Sequence, residues 1–216
     1  MIIVGITGQI ASGKSTVSNI IKKMGYQVFE ADKINKTVLN KRKIKKKLKE
    51  EFQLKVKNLF FDDNRLNTGE LAKYVFSKKS ELIKLENITH PSIYREELKF
   101  IKRNSLLRKK IIFLDVPLLF RNGNYKRCDF IIYLNVNGTI QKQRLRKREK
   151  MDINMVKKII DIQKLNVLKF NRHISIKLNT GQSLLEVTRK IKNFIQLIKN
   201  KKIKKKWPIL YYNNMK

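Results

Sequence analysis

The sequence places Gly8-Gln9-Ile10-Ala11-Ser12-Gly13-Lys14-Ser15 directly after a short apolar run, Ile2 to Ile6, and directly before a helix-prone stretch. The octapeptide satisfies the phosphate-loop pattern G-x-x-x-x-G-K-[ST], and strand, glycine loop and helix are the context that pattern requires. Thr16 opens the helix, and Val17, Ile20, Ile21 and Met24 then recur at helical spacing until Gly25 closes it. The chemistry is geometric. Gly8 and Gly13 let the backbone curl through Ala11 and Ser12 so that successive N–H groups face phosphate oxygens, and the positive end of the helix dipole aims at the same point. Lys14 adds a point charge for β and γ phosphates, and Ser15 offers a hydroxyl to Mg²⁺, which takes oxygen ligands and reaches the protein through phosphates and water. A chance Gly-Lys-Ser turn is the bland alternative. At ordinary residue frequencies it arises in roughly one per cent of chains this long, before the flanking context is counted.

A chain of 216 residues, 42% hydrophobic, is long enough for one sizeable α/β core. Its formal charge of +34, from 51 Lys+Arg against 17 Asp+Glu, taken alone points to nucleic acid or an anionic surface. The basic residues are spread over the whole length beside abundant Ile and Asn, without interleaved aromatic platforms, so they read as compositional drift rather than a nucleic-acid footprint. Cys128 is the single cysteine, which fits a small apolar residue at the start of a strand in a reducing compartment. No run approaches the ~18 apolar residues of a membrane span, so a cytoplasmic protein without a membrane partner is expected.

Apolar runs recur at Ile2 to Ile6, Gln27 to Glu30, Ile111 to Leu114, Phe130 to Leu134 and Ile174 to Leu178, with helix-period stretches between them. That alternation predicts a parallel sheet with helices on both faces, its ligands beyond the carboxyl ends of the strands. Asp32 follows the second strand and Asp115-Val116-Pro117-Leu118-Leu119-Phe120 the third, so two carboxylates and the phosphate loop fall on one edge. Asp32 also reads as the N-cap of a helix beginning near Lys33, and Asp115 as a strand-end hydrogen bonder; for each, both readings stand.

Residues 33–110 exceed the needs of one crossover helix and read as a helical insertion able to cover an acceptor substrate. His90-Pro91 is expected to interrupt it, with His90 as a turn or cap residue or as a ligand donor. Lys41 to Lys49 reads as a solvated helix face. In the stretch 137–166, Arg144 and Arg148 are four apart on one helix face, which suits a lid closing over phosphates and equally a plain basic helix. A last helix, roughly Ser183 to Asn200, presents Leu184, Val187, Ile191, Phe194, Ile195 and Ile198 as a packing stripe. Residues 1–200 thus read as one domain, and 201–216 as a basic tail.

With these residues in place the chain resembles the dephospho-coenzyme A kinases over nearly its whole length to about Asn200. The resemblance rests on Gly5-Ile6-Thr7-Gly8 through Thr16, Ala31-Asp32, Leu71 with Val75-Phe76, His90-Pro91, the Asp115–Phe120 string, Gln141, Arg144, Arg148, Gln163 and Asn179-Thr180-Gly181. It departs from the family's usual residues at Ala11, Thr68, Arg121 and His173-Ile174. The resemblance implies a P-loop kinase fold, a five-stranded parallel sheet with helices on both faces, a helical acceptor-binding insertion and a lid. It implies ATP and dephospho-CoA as small-molecule substrates, with Mg²⁺ accompanying ATP. Asp32 would act on the acceptor 3′-hydroxyl, with Lys14, Arg144 and Arg148 on the transferring group. Asp32, His90, Asp115, Pro117 and Leu118 would line the acceptor side, and Asn179 and Gly181 the adenine side of the ATP site. Three other readings remain beside it: a nucleoside monophosphate or other small-molecule kinase, a nucleic-acid-stimulated NTPase, and a non-enzymatic remnant.

Overall fold

A computed structural model of the chain describes residues 1–146 and 170–200. Five strands form one all-parallel sheet in the order β2-β3-β1-β4-β5, comprising β1 (Ile2–Gly8), β2 (Gln27–Glu30), β3 (Ile111–Asp115), β4 (Phe130–Asn135) and β5 (Ile176–Asn179). The first four begin where the apolar runs begin. The last starts at Ile176 rather than Ile174, because the 3-10 turn Asn171–His173 and its following residue take up the start of that run. Ile2, Ile3, Val4, Ile6 and Thr7 make β1 a β-branched strand suited to burial on both faces, and it sits at the centre of the sheet. In parallel register Ile6 pairs Asp115 of β3 and Gly8 pairs Leu134 of β4.

The described residues divide into two compact units. The sheet unit takes 1–30, 101–146 and 170–200. Its core joins Val4, Ile6, Phe113, Ile132 and Leu134 of the sheet to Val17 and Ile21 of α1 (Lys14–Lys23) and to Val187, Ile191, Phe194, Ile195 and Ile198 of the last helix, Leu184–Lys199. That helix starts at a capping box: Ser183 Oγ accepts the Glu186 N–H, and the Glu186 carboxylate accepts the Ser183 N–H. Cys128, two residues before the first residue of β4, is buried as a small apolar side chain. No helix among the described residues is long and apolar enough to cross a membrane.

The helical unit spans Ala31–Phe100 among the described residues and carries α2 (Ala31–Leu39), α3 (Arg42–Phe52), α4 (Thr68–Val75) and most of α5 (Lys79–Leu106). Lys41 to Lys49 is a solvated helix face: in α3 only Ile44, Leu48 and Phe52, spaced by four, are buried, and they join Val38, Leu59, Leu71, Val75 and Leu82 in a separate apolar core. The interruption expected at His90-Pro91 does not occur. Pro91 lies inside α5, one continuous helix of 28 residues. Proline costs a helix interior about 3 kcal/mol, but Leu82, Leu85, Ile88 and Ile93 pack against the same apolar core on both sides of it and hold the halves together. Two residues before the proline, Thr89 Oγ1 donates to Leu85 O at 3.0 Å. His90 is therefore a helical residue and not a turn or cap.

An ion-pair network stitches α3 to α5. Lys55 Nζ donates to Glu51 Oε1 at 2.6 Å, and Lys84 Nζ lies 3.0 Å from Glu81 Oε1 and 3.2 Å from Glu51 Oε1. The hydrogen bonds from Lys55 and Lys84 hold Glu51 below its ordinary value, the bond from Lys84 does the same to Glu81, and Glu81 and Glu51 in turn raise Lys84.

Two outcomes are expected. Leu48→Ala removes a fully buried anchor of the helical core and should cost about 2–5 kcal/mol, read as a lower urea midpoint. The depressed carboxylates contribute stability above the ordinary glutamate pKa of about 4.3 and lose it as pH falls through their lowered values. The raised lysine contributes below its ordinary pKa of about 10.4 and loses that contribution only at more alkaline pH. Thermal midpoints should therefore drop on acidification below about pH 4, and Lys84→Met should make that drop shallower.

Candidate active site

β1 delivers Gly8 to the carboxyl edge of the sheet, where a Cβ would sit 2.4 Å from the Leu134 carbonyl oxygen, so a side chain is excluded by backbone. Gly13 has φ 79°, the left-handed region in which glycine carries no Cβ penalty. Ala11 has φ 58° with a Cβ, which costs about 1–2 kcal/mol and persists only where the surroundings over-determine it.

Those surroundings are a row of tied carbonyls. Lys14 Nζ donates to Gly8 O and Gln9 O at 3.0 and 2.9 Å. Gln141 Nε2 donates to Ile10 O at 2.9 Å and Arg144 Nη1 to Ala11 O at 3.4 Å, both from α6 (Gly138–Arg146). Thr180 Oγ1 donates to Ser12 O at 2.8 Å, and the Val17 N–H to Gly13 O at 3.1 Å. With the carbonyls held by Lys14 and by partners beyond the loop, the N–H groups of Ala11, Gly13, Ser15 and Thr16 take no acceptor among the described residues. Together with the N-terminus of α1 they form a nest for an anion. α1 has no acidic residue in its first turn and no side-chain cap, so nothing competes with a phosphate there.

Ser15 is exposed in that first turn and Thr16 beside it. The Ser15 hydroxyl has no protein partner among the described residues, and as a hard oxygen donor it fits Mg²⁺. Asp115, at the end of β3 and 8% exposed, accepts Ser18 Oγ at 2.7 Å. Ser18 lies three residues after Ser15 on α1, so the carboxylate is fastened one helical turn from the Ser15 position. Beyond it the β1–β3 pairing continues: the Val116 N–H donates to Ile6 O at 3.0 Å and Thr7 Oγ1 to Pro117 O at 3.0 Å. Pro117 and Leu118 stay half-buried, whereas Leu119 and Phe120 belong to the core.

Asn179 Oδ1 accepts the Gly181 N–H at 2.9 Å, shaping the loop after β5 that carries Thr180 against Ser12. Gly8, Ala11, Ser12, Gly13, Lys14, Ser15, Thr16, Asp115, Pro117, Leu118, Arg144, Asn179 and Gly181 all belong to the sheet unit. Asp32 and His90 belong to the helical unit. Asp32 follows β2 by two residues, and since α2 begins at Ala31 it is a first-turn residue and not the N-cap. It is exposed, and its charge suits the positive end of the α2 dipole. Arg148, and the segment 147–166 of the expected lid, lie outside the described residues, as does the tail 201–216.

Reading from sequence missed the roles of Gln141, Ser18 and Thr180. Gln141 and Arg144, three apart on α6, were recoverable as one gripping face. Thr180 and Ser18 carry no local signal, because what they bind is remote in sequence. Of the departures, His173 is buried and tilted over Tyr125 at 4.7 Å between ring centroids, and Thr68 is the first residue of α4 behind the Asn67 cap.

A model of the dephospho-CoA kinase family matches residues 2–183. A dephospho-CoA kinase of Fusobacterium nucleatum is 32% identical over 201 residues, covering 92% of this chain and 99% of that protein. One from Buchnera aphidicola is 35% identical over 183 residues, 84% of each. The solved dephospho-CoA kinase from Campylobacter jejuni superposes with a TM-score of 0.66 at 25% identity, covering 93% of this chain and 98% of that one. The phosphate loop, the five-stranded parallel sheet and a match over most of the length lead to one assignment: the chain belongs to the dephospho-CoA kinase family.

Proposed function

We propose that the chain transfers the γ-phosphoryl group of ATP to the ribose 3′-hydroxyl of dephospho-CoA, giving coenzyme A and ADP, the last step of coenzyme A synthesis. The observation that carries this reading is the family match over residues 2–183. The nest of N–H groups left by the tied carbonyls supports the donor half of it.

In this reading the ATP phosphates lie in the nest from Ala11 to Thr16, and the Lys14 ammonium exchanges its two loop carbonyls for β and γ oxygens. Mg²⁺, when bound with the nucleotide, neutralises charge between the β and γ phosphates, and the Ser15 hydroxyl would hold it. Phosphate oxygens and water would complete its coordination, as suits a cation that prefers oxygen ligands and keeps several waters. The acceptor oxygen attacks the γ-phosphorus in line, the bond to the β-bridging oxygen breaks, and the hydroxyl proton passes to the Asp32 carboxylate. Asp115, held by Ser18, shapes the acceptor side with Pro117, Leu118 and His90. Arg144 and Arg148 stabilise charge on the equatorial oxygens. Asn179 and Gly181 flank the adenine. The residues 33–110 act as the acceptor-binding insertion and 137–166 as the lid. We place the reaction in the cytoplasm, with small molecules rather than nucleic acid as partners.

A coupled ADP-release assay across dephospho-CoA, AMP, CMP, dTMP and shikimate should give turnover with dephospho-CoA; turnover with a nucleoside monophosphate alone would overturn the acceptor assignment. Asp32→Asn should lower kcat by about 10²–10⁴-fold with ATP affinity retained. Near wild-type turnover in that variant would remove Asp32 from the base role.

A further inference from the structure

Thr180 is 7% exposed, and its single hydroxyl meets three polar groups. Oγ1 lies 2.8 Å from Ser12 O, 3.3 Å from Asn135 O and 3.1 Å from Arg144 Nη1. A hydroxyl has one proton and two lone pairs. The shorter contact takes the proton, so Thr180 donates to Ser12 O and accepts from Arg144. Its backbone completes the junction: the Thr180 N–H donates to Asn135 O at 2.9 Å, and Thr180 O accepts Arg144 Nη2 at 2.6 Å. Arg144 in turn reaches Ala11 O, while a Cβ on Gly13 would lie 3.4 Å from both Thr180 Oγ1 and Arg144 Nη1. One side chain thus links the ends of β4 and β5, α6 and the phosphate loop, next to the alanine held at φ 58°.

We infer that Thr180 is a positioning residue for the phosphate loop: through Ser12 O and Arg144 its hydroxyl holds Ala11 in the left-handed conformation that leaves the loop N–H groups open to phosphate. Without the hydroxyl, Ser12 O loses its donor, the guanidinium loses one acceptor, and Ala11 can relax to negative φ and turn its flanking peptides. Glycine at position 11 has no such conformational penalty, so the need for the Thr180 bond should shrink when Ala11 is replaced by glycine.

The inference rests on the ATP-dependent reading above, and its test is arranged to separate the two. Calorimetric titration with Mg·ATP, without acceptor, is run on the full chain, T180V, T180S, A11G and the A11G/T180V double variant. T180V should bind about tenfold more weakly, because Ser12 O loses its donor and the Arg144 guanidinium an acceptor, and T180S should restore binding to within about threefold. In the A11G background the loss caused by T180V should fall below about threefold. Steady-state kinetics should show the T180V change in KM for ATP rather than in kcat. Thermal melts report folding, and T180C, which replaces the hydroxyl by a weakly donating thiol, takes the place of T180V if the latter does not fold. Equal Mg·ATP affinity in T180V and the parent, or a loss of the same size with glycine at position 11, overturns the inference. Absence of Mg·ATP binding by the parent chain overturns the kinase reading itself.

Discussion

The outward fastening of the loop carbonyls from Gly8 to Ser12 is the constraint on which the rest of the structure depends. In a trans peptide the C=O points opposite to the N–H, so a unit that turns its N–H to an anion turns its carbonyl the other way, where it needs a donor. Those donors come from Lys14, from Gln141 and Arg144 on α6, and from Thr180 after β5. The sheet order follows the same requirement. With β1 between β3 and β4, the loop emerges beside Asp115 on one side and beside the β4 and β5 ends on the other.

Strain and satisfaction are balanced within this small volume. Ala11 sits where an L-residue is disfavoured, and Ser12 Oγ is buried without a hydrogen-bond partner among the described residues. Both are tolerated because the neighbouring backbone is held at several points. The lysine-rich composition is managed differently. In α3 the cations project from one face of a helix whose Ile44, Leu48 and Phe52 make the apolar contact, so high charge and a continuous core coexist. The Glu51, Lys55, Glu81 and Lys84 network places two of the few carboxylates where they offset that charge locally.

Two of the departures from the family's usual residues, His173 and Thr68, fall on positions with a structural occupation. His173 fills an aromatic cluster with Tyr125, Phe170 and Phe120, the last two rings stacked at 4.8 Å. Thr68 starts a helix that Asn67 caps by accepting the Glu70 N–H at 3.2 Å. Neither position is empty of packing or hydrogen bonding, and the five-stranded architecture is intact around them.

Much of the molecule was legible in one dimension because its determinants are local. The strand–glycine loop–helix unit, the five β-prone runs, the Ser183-x-x-Glu186 cap and the buried stripe of the last helix each depend on residues a few positions apart, where propensity and periodicity operate. Tertiary structure alone decided the rest. Pro91 does not break α5, because apolar packing on both sides outweighs a lost backbone hydrogen bond, and no local rule contains that packing. Strand order depends on which crossovers cover which face. The roles of Gln141, Thr180 and Ser18 depend on atoms about 100 residues or more away in the chain, with separations of 131, 168 and 97. The sequence by itself determined that a phosphate loop would form; only the folded chain decided which side chains hold its carbonyls away from the ligand, because those hydrogen bonds join segments that become neighbours through the sheet.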